Sequence, residues 1–184
     1  MAVKTFTVSE VLTASDTNTY LANSGLVYLA GTTVTSATPY VEFLNCFSSQ
    51  YDNYRVVVSG GQGSVAQSFQ VYLGTNPSTT NHYGTIYYYL YTGSSAANVN
   101  TNAGGSTYVT LSDAAGPSVS TSFDLTNPYL TKWKTLHGTF DGRAYAGWFG
   151  GFIQDTASYT GFRIKNETGN ITAGSFRIYG YRQA

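Results

Sequence analysis

Few residues in this chain are of a type and spacing suited to chemistry. Residues 55–66, RVVVSGGQGSVA, carry Gly61-x-Gly63-x-x-Ala66 directly after a β-branched run. A dinucleotide site built on such glycines needs a helix next and an acidic residue about 20 positions further on. The following residues alternate as a strand, and no Asp or Glu occurs between Asp52 and Asp113. The segment therefore reads as a glycine-rich strand connection. A zinc centre wants clustered His and Cys. His82 and His137 stand apart from each other and from Cys46, and read as surface or edge-strand residues. Cys46, the single cysteine, lies in the apolar FLNCF and is expected to be a small core residue that forms no intrachain disulfide.

Glycoside hydrolysis needs two carboxyl groups brought together by the fold. Glu42, Asp113, Asp124, Asp141, Asp155 and Glu167 are the candidates, and no pair is singled out. Asp113 and Asp141 sit in turn-like contexts, where Asp has a structural role. There is no Gly-x-Ser-x-Gly elbow, and nothing ties a Ser, a His and an Asp together. The aromatic side chains offer binding chemistry instead. Tyr87, Tyr89, Tyr91 and Tyr159 are candidate contacts for a glycan or a neighbouring subunit. Trp133 and Trp148 have the same binding chemistry, but a sandwich needs large rings between its layers, so they are expected in the core. No catalytic residue, cofactor or metal is assigned.

Composition narrows the function classes. Of 184 residues, 10% are charged and 16% aromatic, with nine basic and nine acidic side chains. Zero net charge leaves no footprint for a phosphate backbone, so nucleic acid is not an expected partner. No apolar run is long enough for a spanning helix, and membrane insertion is not expected. The N-terminal MAVKTFTVSE lacks the apolar stretch of a secretory signal, which points to synthesis in the cytoplasm. The sequons at Asn166 and Asn170 are then chance matches. A neutral surface rich in Tyr and Thr suits packing into an assembly or binding neutral ligands.

The elements that must position these residues are strands. Val65, Phe69, Val71 and Leu73 share one face of VAQSFQVYL, and Val119, Phe123 and Leu125 share one face of SVSTSFDL. Phe162 and Ile164 alternate with Arg163 and Lys165; Phe176 and Ile178 alternate with Arg177, Tyr179 and Tyr181. YRVVVSG is β-branched throughout and suits a strand covered on both faces. In IYYYLY, Ile86, Tyr88 and Leu90 are expected inward, and Tyr87, Tyr89 and Tyr91 outward. Asp141-Gly142 predicts a two-residue hairpin turn, and Gly60-Gly61, Gly93, Gly104-Gly105, Gly116-Pro117 and Gly169 mark further connections. The fold class is all-β: an antiparallel β-sandwich, jelly-roll-like, over residues 36–184.

Residues 1–35 are expected to form an N-terminal arm with a short helix at about 13–24. Thr13 and Asp16 resemble a capping box, with Ser15 or Asp16 as alternative caps, and Gly25 suits the position after the last turn. Thr17, Asn18 and Thr19 are poor helix formers, so such a helix needs a surface to hold it. A loose arm with one helical turn fits the residues equally well. Leu12, Asp16, Asn18, Tyr20 and Leu21 are the candidate anchor residues.

Four patches resemble segments of bacteriophage virion structural proteins. They are SEVLTASDTNTYLANSG at 9–25, FLNCFSSQYDNYRVVVSG at 43–60, LTNPYLTKWKTLHG at 125–138 and GFRIKNETGNITAGSFRIYGY at 161–181. The resemblance implies a non-enzymatic protein of the virion with a jelly-roll-like domain. It implies a homo-oligomer, often a trimer, attached to other capsid or tail proteins through its N-terminal arm. The chain has no fibrous repeat or coiled-coil shaft, which suits a capsid decoration (cement) subunit or a short head or tail fibre better than a long tail fibre. A fibre would hold host surface glycans on a Tyr- and Trp-lined surface; a decoration protein would clamp capsid subunits. A free carbohydrate-binding module and a glycan hydrolase are the readings from other classes.

Overall fold

A computed structural model describes residues 7–11, 13, 25–74, 81–93, 97–113, 118–142 and 144–181. The expected helix at 13–24, and with it Leu12, Asp16, Asn18, Tyr20 and Leu21, lies outside the described residues. Twelve strands are seen: β1 (Leu26–Val34), β2 (Val41–Phe43), β3 (Asn53–Gly63), β4 (Ser68–Leu73), β5 (His82–Leu90), β6 (Ala97–Ser106), β7 (Val109–Asp113), β8 (Val119–Thr126), β9 (Lys134–Asp141), β10 (Tyr145–Ile153), β11 (Phe162–Asn166) and β12 (Ile171–Tyr181). All pairings between them are antiparallel.

The strands form two sheets packed as a sandwich. The larger has the order β1-β12-β3-β8-β9-β10-β5-β6, the smaller β2-β11-β4-β7. The set β1-β12-β3-β8 over β2-β11-β4-β7 is the eight-strand arrangement of a jelly roll. Within that set the chain crosses between sheets at every step except β4 to β7, which are neighbours. Two hairpins are inserted. β5–β6 falls between β4 and β7, and β9–β10 between β8 and β11. Both inserts extend the larger sheet beyond β8, and β7 of the smaller sheet packs against β5, β9 and β10.

Alternation explains the core. Val56, Val58, Phe123, Phe149, Phe176 and Ile178 from the larger sheet meet Phe69, Val71, Leu111, Phe162 and Ile164 from the smaller, all at most 2% exposed. Phe69 meets Phe176 edge-on across the layers, with ring centroids 6.5 Å apart. Phe43, Phe47, Tyr54 and Phe162 cluster, with centroids 4.7–5.6 Å apart. The buried Tyr54 hydroxyl donates to the Ser48 carbonyl and accepts from the Ser48 amide, so burial leaves it paired.

Several expectations change. β1 falls in the stretch read as arm, yet it pairs along its length with β12, so the sandwich begins at Leu26. Gly60 and Gly61 lie inside β3 at a bulge, and do not form a turn between elements. Gly60 takes a φ of +64°, and a Cβ on Gly174 (φ +124°) would stand 2.8 Å from the Gly61 Cα. These glycines let β3 and β12 approach where their register shifts. β3 is covered on one face: Tyr54, Val56 and Val58 are buried while Arg55 and Val57 are half-exposed. The β9–β10 hairpin forms, but β9 keeps Asp141 and β10 begins at Tyr145, with the Gly142 amide donating to the Tyr145 carbonyl.

Candidate functional site: the outer face of the larger sheet

The register of the inserted hairpins sets side chains in rows on the outer face. One row runs Tyr87, Trp148, Thr139, Ser122, Val57 from β5 to β3. The next runs Thr85, Gly150, His137, Asp124, Arg55. A third runs Tyr83, Phe152, Thr135, Thr126. Successive rows are about 7 Å apart, since alternate residues share a face.

Rings dominate two of these rows. Tyr87 stacks on Trp148, with centroids 5.3 Å apart and planes 24° apart, and Tyr89 meets Tyr87 edge-on at 5.4 Å. Tyr83 stacks on Phe152 at 4.5 Å and 6°, and Trp133 continues that stack at 6.1 Å and 17°. Trp133 and Trp148 are each 52% exposed, so the expectation that they fill the core is overturned. Phe149, the neighbour of Trp148, takes the core position instead. Tyr87, Tyr89 and Tyr91 do face outward, and Ile86 is buried opposite them. The Tyr91 hydroxyl donates to Asp141, which raises the pKa of Tyr91. Tyr87 donates to Tyr89 at 3.4 Å, which raises the pKa of Tyr87.

Beside the Tyr83–Phe152 stack lies a shallow cleft of about 460 Å³, lined by Tyr83, Thr85, Thr135, Gly150 and Phe152 with the backbone of Gly84 and Gly151; Tyr87 and Trp148 stand one row away and do not line it. Its lining carries no charged side chain. His137 stands beside Gly150 in register, its side chain 70% exposed and its Nε2 3.9 Å from Asp124. Behind it, Tyr181 donates to Asp124 at 2.6 Å, and Arg55 donates to Tyr181, Asp124 and Ser122 at 3.4–3.5 Å. On the other side of Trp148 a second depression of about 230 Å³ is floored by Val57, Ser120, Ser122 and Thr139.

Tyr159 does not join this face. It is half-buried against the core, its hydroxyl donates to Asp155, and the Lys134 ammonium lies 5.2 Å from its ring centre. Lys134 is fully buried and donates to the carbonyls of Asp155, at 2.9 Å, and Ala157. Burial lowers its pKa, opposed by Asp155. In the same inward row, beyond Ile153, sits His82. The sequence predicts a surface or edge-strand residue, but β5 lies inside the sheet and His82 is 1% exposed. Among the described residues neither ring nitrogen has a partner of full hydrogen-bond geometry. Burial pushes its pKa down to about 4, with Asp155 and the Ser106 backbone opposing. Cys46 is buried as expected, and burial raises its thiol pKa to about 12.

The acids are dispersed. Glu42 pairs with Arg163 on the smaller sheet, where Arg163 also covers Tyr40. Asp124 and Asp141 share the outer face but stand four register positions apart, roughly 13 Å by strand rise. That span exceeds the carboxyl separation of either glycosidase geometry, about 5–9.5 Å. Among the described residues no group of three His, Cys, Asp or Glu could hold a metal ion, and no helix is long and apolar enough to cross a membrane.

Comparison of the chain with protein-family models, with curated proteins and with solved structures finds no match.

Proposed function

We propose that this chain is a non-enzymatic surface subunit of a bacteriophage particle, a capsid decoration protein or short fibre. It is held to the particle by its N-terminal segment and displays the outer face of the larger sheet. Four sequence patches resembling virion proteins support the particle assignment, and a jelly-roll arrangement is the fold that resemblance implies. The observation that carries the display role is the outer face itself. Four half-exposed or exposed rings, Tyr83, Tyr87, Trp148 and Phe152, stack in register across the inserted strands β5 and β10, and Trp133, just before β9, extends the Phe152 stack. Rings left in water at this density favour a contact surface. For the N-terminal segment, Val8 and Val11 are apolar and 98% and 78% exposed, which suits burial against another protein.

The copies are proposed to associate as a homo-oligomer, with three as the working number. The β1 edge, with Leu26 and Tyr28 exposed, is a natural pairing edge. Light scattering on the purified chain and co-sedimentation with particles of the phage that encodes it test both claims. An oligomer that sediments with the particles is expected. A monomer that stays in the supernatant contradicts the reading. A carbohydrate-binding module is the second reading, favoured by the uncharged cleft beside the Tyr83–Phe152 stack.

A further inference from the structure

The geometry points to a binding site for a neutral glycan at Gly150, between the Trp148–Tyr87 and Phe152–Tyr83 stacks. This rests on the outer face being the contact surface; it does not depend on how the N-terminal segment is attached.

Gly150 is the independent observation. It lies in the middle of β10, in the row between the two stacks. Its φ is not in the positive range, and a Cβ built on it would meet only the Leu136 carbonyl, at 3.9 Å. Neighbouring glycines are different. A Cβ on Gly147 would come 2.2 Å from the Tyr87 carbonyl, and one on Gly151 2.5 Å from that of Tyr83. Gly147 and Gly151 are required by packing, whereas Gly150 is not. Glycine weakens a strand, and one that packing does not require marks a place where something approaches the backbone. Here it removes the one side chain that would fill the notch between the rings.

The notch has the chemistry of a sugar. Its lining carries no charge, so an anionic or cationic ligand finds no counter-ion. Phe152 is stacked by Tyr83 and by Trp133, so the notch offers the apolar edges of that stack, and the ring face available to the C–H face of a pyranose is that of Trp148, one row away. Tyr87 covers one face of Trp148, leaving the other towards the β9 side, where Thr139 is small. Hydroxyl partners stand around the rim: Thr85 and Thr135 in the lining, and His137 next to Gly150, backed by Asp124. Apolar walls with a few convergent polar groups are the usual form of a small-ligand site.

The test is a glycan array carrying neutral and acidic oligosaccharides, probed with the purified chain and with Gly150→Val. Valine suits a strand and fills open space, so the variant should fold. Neutral glycans should bind the wild-type chain, and Gly150→Val should lose at least tenfold in affinity with unchanged circular dichroism and melting. Trp148→Ala should lose binding in the same way. Failure of every neutral glycan, preference for acidic ones, or unchanged binding by Gly150→Val would overturn the assignment. So would a light-scattering mass that falls when Gly150 is changed, because a second copy would then be the occupant. Glycan binding without particle association keeps this site and removes the virion reading; the reverse result removes the site alone.

Discussion

His82 is held in a form its ring does not need in water. Buried between strands in the row of Ile153 and Lys134, it has a pKa lowered from 6.5 to about 4. Its folded pKa lies below its unfolded one, so between these values the unfolded chain takes the proton first. The residue's contribution is complete above pH 6.5 and is lost as pH falls towards about 4. The loss amounts to about 3 kcal/mol. Urea titrations between pH 4 and 7 should show stability falling with acid on this slope, and His82→Leu should flatten it. An unflattened slope would assign the effect to another group. This burial was not legible in the sequence. His82 shares the parity of Ile86, Tyr88 and Leu90, but Gly84 interrupts the apolar pattern between them, and pairing with Ile153 and, through it, Lys134 fixes His82 inward. Cys46 was legible because it lies in the mainly apolar stretch FLNCF.

Strand β10 shows why patterning found the elements but not all of their faces. In YAGWFGGFI both parities are apolar: Phe149 and Ile153 on one, Trp148 and Phe152 on the other. Size argues for burying tryptophan, but the register decides otherwise, since Trp148 pairs with the outward Tyr87 and Phe149 with the buried Ile86. Strands with one polar parity, such as β8, β11 and the end of β12, read correctly because only one face is apolar. The inversion predicts a contrast. Phe149→Ala should cost about 3–5 kcal/mol by leaving a core cavity. Trp148→Ala, at a half-exposed ring, should cost no more than about 1.5 kcal/mol, the scale of one aromatic pair. Denaturant midpoints of the two variants measure this directly, and equal losses would contradict the placement. The Gly150 cleft was equally hidden, because it depends on β10 lying between β9 and β5, which turn signals do not specify.

At the scale of the whole molecule, a jelly roll leaves its inserted hairpins free to carry a surface. The β5–β6 and β9–β10 inserts widen one sheet only, and the outer face they add bears the rings and the Gly150 cleft. The outer face of the smaller sheet is occupied differently, by Arg163 on Glu42 and Tyr40 and by Lys165 over Tyr72. The two faces therefore have different chemistry, which suits a subunit with one displayed side. The all-β sandwich class was legible from short alternating strands, whereas the strand order that makes it a jelly roll was not, because pairing between distant strands leaves no local signal. The N-terminal boundary moves for the same reason: β1 is a strand only because β12 receives it. Sandwich and leader are thus separable at Leu26, and a chain lacking residues 1–24 should fold. The most direct measurement is the occupancy of particles assembled without this protein and then supplied with either the full chain or the chain lacking residues 1–24. The account predicts that the full chain binds to saturation while the truncated chain, folded by circular dichroism, does not. Full occupancy by the truncated chain, or none by the full one, would contradict it.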